Sequence, residues 1–325
     1  MLYNWAKDLY PISRSLTGKG VRDTLSYLKK ILKNLKIKKV KSGKNAMDWK
    51  VPLEWKIEDA YIKELSGKKI LDLKKNNLHV LGYSQPVNMI IDNKDLQKKI
   101  YSVKNLKDAI PYVTSYYKKN WGFCMSENQR KKMNKKKYKI VIKSKLFKGV
   151  MNYGELYIPG KLKKEILLST NICHPSMGNN ETSGIVVATA LGKWLQKKKM
   201  KYSYRILFLP ETIGAIYYLS KFKKKMKKNI IAGFNVVCVG NNSRFSFLPS
   251  RQGNTLADRA SLLYFKLKKI KPIFYDYMHH RGSDERQYCW PGIDLPVCSI
   301  MRSKYNEYKE YHTSFDNLKF ISQKG

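Results

Sequence analysis

Acid is what this chain has least of. Its 325 residues carry 24 Asp and Glu against 65 Lys and Arg, a formal charge of +41. Such an excess raises the question of a polyanion partner, because clustered basic side chains release counterions from phosphate. The lysines are instead spread over the chain, with runs in 131–137, 197–201 and 223–228, and no single stripe with interleaved aromatics collects them. Arginine, the better reader of phosphates and bases, supplies only 10 of the 65 cations. The charge therefore describes solvated faces, and a nucleic-acid binder ranks last of three function classes.

Cysteine is also scarce. Cys124, Cys173, Cys238, Cys289 and Cys298 are dispersed, odd in number and free of any C-x-x-C pair. That excludes a disulfide framework and predicts reduced, buried thiols. Cys173 directly precedes His174, but neighbours on a strand point to opposite faces, which argues against a thiol nucleophile there. No apolar run reaches the length of a membrane span, and residues 1–10 lack the charged and apolar regions of a signal peptide, so a cytoplasmic protein without a membrane span is expected.

What is present is enough for a large core: 43% of the residues are hydrophobic. The length favours one large α/β domain with a smaller insertion. Val21, Leu25, Leu28, Ile31, Leu32 and Leu35 recur at helical spacing. Between Trp49 and Met89 short alternating runs are separated by Gly67, Asn76 and Gly82, the texture of a small β-rich insertion. The runs 138–142 and 155–158 alternate as a hairpin pair, with Asn152-Tyr153-Gly154 near the turn. Beyond them strands at 166–172, 204–209 and 230–239 are each followed by a helix, the first capped by Thr182 or Ser183, the second over 213–228 and the third near 255–269. This order predicts a mixed, mainly parallel sheet with helices on both faces.

Ligands of open α/β sheets bind outside the carboxyl ends of the strands. His174, Glu211 and the turn 240–251 fall at such ends, and the loops 281–288 and 310–316 contribute Asp284, Glu285 and His312. Two imidazoles, several carboxylates and an amide are the groups that a zinc-activated water and a carboxylate base require. There is no compact H-E-x-x-H helix, and each residue has an ordinary structural role open to it. His174 and His312 can bond carbonyls, Glu211 can stabilise a helix start, and Asp284 and Glu285 can pair with Arg281 and Arg286. His279 and His280 read as surface residues and His79 as remote. Six of the ten arginines, Arg244, Arg251, Arg259, Arg281, Arg286 and Arg302, fall between 244 and 302, where a fork-shaped donor serves structural carboxylates or an acidic ligand group.

The strings Asn171-Ile-Cys-His-Pro-Ser-Met-Gly-Asn-Asn-Glu-Thr-Ser-Gly184, Leu209-Pro-Glu-Thr-Ile-Gly214, Arg281-Gly-Ser-Asp-Glu-Arg-Gln-Tyr288 and Tyr311-His-Thr-Ser314 carry a resemblance, and so do Tyr10–Gly18, Trp49–Trp55 and Asp108–Tyr117. Together they resemble the aminopeptidase-like proteins that contain an inserted domain of unknown function, whose genes often lie among those for surface-polysaccharide biosynthesis. The resemblance implies a zinc-exopeptidase-like domain over 1–40 and 110–325, interrupted by the insertion at 41–109, and without the winged helix-turn-helix that often follows. It implies His174 and His312 as metal ligands, Asn180 where a metal-bridging aspartate stands, and Glu211 as general base. Arg251, Arg281, Asp284, Arg286 and Tyr311 become candidate substrate contacts. Asn180 is neutral, Thr212 stands where the wider class has a metal-binding glutamate, and Asn235 or Asn241 occupies the place of another aspartate. One zinc ion rather than two, or a metal-poor pocket, is therefore expected, with Glu181, Asp284 or Glu285 as further ligand of a single ion, because neutral ligands do not offset the repulsion of two cations. The implied activity is hydrolysis of an amide in a small peptide or an acylated amino sugar. A catalytically degenerate binding protein is the alternative.

Overall fold

The computed structural model describes residues 1–325, and an eight-stranded sheet forms its centre. Four neighbouring strands, Tyr202–Leu209, Leu162–Asn171, Ile230–Asn235 and Val297–Met301, run parallel in that spatial order. On one side Val150–Ile158 and then Lys36–Lys41 continue the sheet antiparallel, and on the other Ser246–Leu248 is antiparallel with Ile273–Phe274 parallel beyond it. The mixed, mainly parallel sheet read from the sequence is the one observed. The edge strand Lys36–Lys41 reads K-I-K-K-V-K, and its exposed lysines discourage a further strand from adding there.

Alternation along the central strands supplies both faces. Leu207 and Leu209 join Leu167 in the core under the helix Ile213–Asn229, where Ile213, Ile216, Leu219 and Met226 are buried. Ile206 and Phe208 point the other way, into a second core with Val21, Leu25 and Leu28 of the helix Lys19–Ile31 and Ile185, Ala188 and Leu195 of the helix Ser183–Leu195. Each such side chain contributes about 1.5–3 kcal/mol by leaving water, so a one-residue slip that exchanged the faces would lose the whole set. The helix Ser183–Leu195 also sits close to the sheet, because at Gly184 a Cβ would stand 2.3 Å from the Val236 carbonyl oxygen.

A second, four-stranded antiparallel sheet has the order Lys69–Asp72, Glu54–Lys63, Lys137–Phe147, Val87–Asp92. Three of its strands lie in 41–109, the span expected to be inserted, but its longest comes from 137–147, so the sheet is completed from beyond that span. This corrects the expected hairpin between 138–142 and 155–158. Ile140 and Ile142 pair with Ile62 and Ala60, whereas Glu155 to Ile158 pair with the strand Tyr202–Leu209 of the main sheet. Two adjacent alternating runs look alike in sequence, and long-range partners decided which sheet each joined. Glu54 ties the sheets together, accepting from Val150 N at 2.9 Å and from Arg22 Nη1 at 2.6 Å. No helix is long and apolar enough to cross a membrane.

Candidate functional site

His174 follows the C-terminal end of the strand Leu162–Asn171, and its main chain is fixed on both sides. Its N–H donates to Glu181 Oε1 at 3.0 Å, and its carbonyl accepts from Arg14 Nε at 2.9 Å. Arg14, fully buried, also donates to the Leu9 carbonyl at 2.7 Å and to Thr182 Oγ1 at 3.3 Å. The N-terminal segment thus fastens the histidine turn.

Glu211 follows the next parallel strand. Thr212 has φ 64° and ψ −73°, and Ile213 N donates to the Glu211 carbonyl at 2.8 Å, which makes 211–213 a γ-turn of the strained, positive-φ kind. A β-branched residue in that region needs outside support. Asp284 Oδ1 gives it, accepting from Thr212 N at 2.7 Å. The Glu211 carboxylate accepts from Asn171 Nδ2 at 2.9 Å and Ser283 Oγ at 2.7 Å, while its other oxygen lies 3.3 Å from His174 Nε2.

His312, also at positive φ (53°), arrives from the C-terminal loop. Its ring centroid is 5.1 Å from that of His174, and Tyr112 stands 5.1 Å from each, so the three rings form a triangle. Tyr311 stacks on His312 at 3.9 Å. The turn Gly178–Thr182 carries Asn180 and is held by Asp316, which accepts from Asn179 N at 2.5 Å, Asn180 N at 3.0 Å and Tyr308 Oη at 2.8 Å.

Electrostatics assign different states to these groups. Burial disfavours a charge on Glu211, yet the hydrogen bond and charge of His174 outweigh it and hold the carboxyl down at about 2. Burial, reinforced by repulsion from His174, lowers His312 to about 3, leaving a neutral imidazole. For His174 burial opposes the charge, but the Glu181 carboxylate facing it favours the imidazolium and its pKa is raised, while the Cys173 thiol and Tyr112 phenol beside it are uncharged near neutral pH. Burial and the negative charge of Glu211 raise Asp284 well above the carboxylate range. Burial also pushes the Cys173 thiol up to about 11, so it is no ready nucleophile.

His312 Nε2 and Asn180 Oδ1 are buried without a hydrogen-bond partner, the condition of donors facing a cation. Both nitrogens of His174 face carboxylates. Nδ1 is 2.9 Å from Glu181 Oε2, but off the line a hydrogen bond needs, so those two atoms are also unpartnered. Cys173, His174 and Glu181 offer donor atoms within 4.8 Å of one another. The set suits one cation. It does not suit two, since neutral Asn180, Thr212 and Asn235 leave no bridging carboxylate. Glu285 is committed elsewhere, accepting from Asn235 Nδ2, Gly282 N, Ser283 N and Tyr305 Oη.

Above Glu211 opens a cleft of about 250 Å³ that Cys173, His174, Thr212, Tyr116 and Arg286 help to line. Trp49 from the insertion, in edge-to-face contact with Tyr117 at 5.4 Å, walls its outer side. Of the sequence candidates, His174 lies beside both Glu211 and His312, Tyr311 stacks on His312, Asp284 holds the Thr212 N–H next to Glu211, Asn180 sits in the buried turn held by Asp316, and Arg286 lines the cleft. Arg281 lies in an adjoining groove. Arg251 is not at the cleft; its guanidinium pairs with Asp294 and donates to the Cys289 carbonyl at 3.2 Å. Sequence reasoning missed Arg14, Asn171, Tyr112, Tyr116, Ser283 and Asp316. The tyrosines belong to the segment Asp108–Tyr117, which carries the resemblance but was given no role at the site; a lone buried Arg or Ser gives no periodic signal.

Comparison with known proteins agrees with this architecture. Residues 3–325 match the family model described as a domain of unknown function (DUF4910). A Clostridium acetobutylicum protein named for polysaccharide biosynthesis and an aminopeptidase-like domain is 43% identical over 327 residues, covering all of this chain and 74% of the relative. A crystal structure of a protein from Clostridium acetobutylicum, described as a peptidase, superposes with a TM-score of 0.96 at 43% identity, covering 99% of this chain and 76% of that one. A zinc aminopeptidase from Bacillus subtilis shares the fold at 12% identity, with a TM-score of 0.70 over 99% of this chain and 90% of its own. With a family model matched over 3–325 and a relative 43% identical across the whole chain, the chain belongs to the DUF4910 family and has an aminopeptidase-like fold.

Proposed function

We propose that this cleft hydrolyses an amide bond in a small substrate, a peptide N-terminus or an acylated amino sugar, with one zinc ion. The observations that carry the reading are that the His174 and His312 rings stand 5.1 Å apart with Glu211 3.3 Å from His174 Nε2, and that His312 Nε2 and Asn180 Oδ1 are both buried without a partner. His174, His312 and Asn180 would hold the ion, which when bound supplies Lewis-acid polarisation and an acidified water. Glu211 is the proton acceptor. Its low pKa keeps it ionised at neutral pH but makes it a weak base while the His174 ring lies against it, Nε2 3.3 Å from its carboxylate, so proton transfer requires that contact to be relieved. Asn171 and Ser283 orient the carboxylate, and Tyr116 and Trp49 wall the cleft against water. The naming of the Clostridium relative for polysaccharide biosynthesis favours an acylated amino sugar.

The test pairs metal analysis with turnover of an aminoacyl-anilide and of N-acetylated hexosamines. One zinc per chain and a loss of roughly 10²–10⁴-fold in Glu211→Gln are expected. Full activity in that variant ends the base assignment, and two zinc ions per chain end the single-metal site. One observation favours a second reading, a binding module without turnover: both ring nitrogens of His174 face carboxylates, Glu181 at 2.9 Å and Glu211 at 3.3 Å, as a charged imidazolium would rather than a metal ligand. That reading expects saturable ligand binding by metal-free protein.

A further inference from the structure

Beside the cleft lies a groove of about 450 Å³ between the insertion and the segment 281–293. Trp49 and Arg286 line both cavities, so the groove adjoins the space over Glu211. Its other walls include Arg281, Trp290 and Ile216, and one carboxylate, Asp48, stands on its rim. Neither Arg281 nor Arg286 has a carboxylate within ion-pair distance. Arg281 lies over the Tyr277 ring at 5.6 Å and donates to the Met278 carbonyl, while Arg286 faces the amide of its neighbour Gln287. Three other arginines of the chain do reach acids: Arg205 on Glu155 and Glu165, Arg22 on Glu54, Arg251 on Asp294. Trp49 and Trp290 remain 39% and 53% exposed, large ring faces left open to the groove's solvent. Two guanidinium groups held by neutral oxygens, the Met278 carbonyl and the Gln287 amide, and standing with two exposed indoles match a ligand whose oxyanion, next to a flat or sugar-like ring, would be the better acceptor.

We infer that this groove is a specificity subsite for an acidic group, a carboxylate or a phosphate borne on a ring, so that the substrate of the neighbouring cleft is an anionic amide rather than a neutral one. This rests on the amide-hydrolase reading only for the word substrate. The subsite itself is tested by binding. Tryptophan fluorescence of the metal-free full chain is titrated with N-acetylglucosamine, N-acetylglucosamine 1-phosphate and N-acetylneuraminic acid at physiological salt. At least one anionic probe should bind roughly tenfold or more tighter than the neutral sugar, and the stronger of the two identifies phosphate or carboxylate. Arg286→Gln and Arg281→Gln should each remove most of that preference, and Arg286→Lys, which keeps the charge but loses the fork, should restore only part. Lys224→Gln, a charge change outside the groove, controls for the general +41 field. Equal affinity for neutral and anionic sugars, no binding of any probe, or an equal loss in Lys224→Gln overturns the subsite. Anion preference without turnover in the native protein sinks the hydrolase reading and leaves the subsite standing; turnover without anion preference does the reverse.

Discussion

Replacing Arg14 by methionine tests whether the N-terminal segment fastens the candidate site. The guanidinium makes three buried hydrogen bonds, to the carbonyls of His174 and Leu9 and to Thr182 Oγ1. Bonds to a charged group are worth about 1.5–3 kcal/mol each, so their gross loss is on the order of 6 kcal/mol. Methionine also removes the desolvation cost of a buried cation, several kcal/mol, which explains why burial pulls the Arg14 pKa down. The net expectation is about 3 kcal/mol of destabilisation in urea unfolding followed by tryptophan fluorescence, because the two carbonyls and the hydroxyl lose a donor that methionine cannot replace. Arg14→Lys, with one compact ammonium for three divergent acceptors, should recover less than half of this. Hydrogen exchange should rise first at 174–182, the turn that Arg14 binds. A loss below about 1 kcal/mol, or exchange that rises uniformly, would refute the reasoning, since either shows the bonds to be replaced by water at little cost.

Other outcomes follow from the same geometry. Thr212→Gly should stabilise the fold by about 1 kcal/mol by relieving the positive-φ γ-turn, yet reduce turnover because Glu211 loses its fixed aim; urea unfolding and kcat measured together check this, and destabilisation would contradict the strain. Gly184→Ala should cost about 3 kcal/mol, since the new methyl meets the Val236 carbonyl, and an unchanged unfolding midpoint would show that the helix can slide. All five cysteines are free and buried, so a thiol reagent near pH 8 should label none rapidly in native protein and all five in guanidinium. Fast native labelling at Cys173 would contradict a thiol pushed up to about 11.

Much of this protein was readable from local pattern. The strands 166–172 and 204–209 and the helices after them follow from apolar runs and helical spacing, and those strand ends had to deliver His174 and Glu211 to one side of a parallel sheet. The motif carrying His312 was visible, and so were the neutral residues at 180 and 212 that argue against two cations. Tertiary structure alone decided that 137–147 completes the insertion's sheet instead of pairing with its neighbour, because alternation fixes a strand's faces but not its partner. It alone decided that Arg251 serves Asp294 while Arg281 and Arg286 stay unpaired beside the cleft, since an arginine's partner depends on which distant acid folds within reach. The aim of Glu211 was equally hidden, because the strained turn at Thr212 is imposed by a carboxylate 72 residues further along the chain.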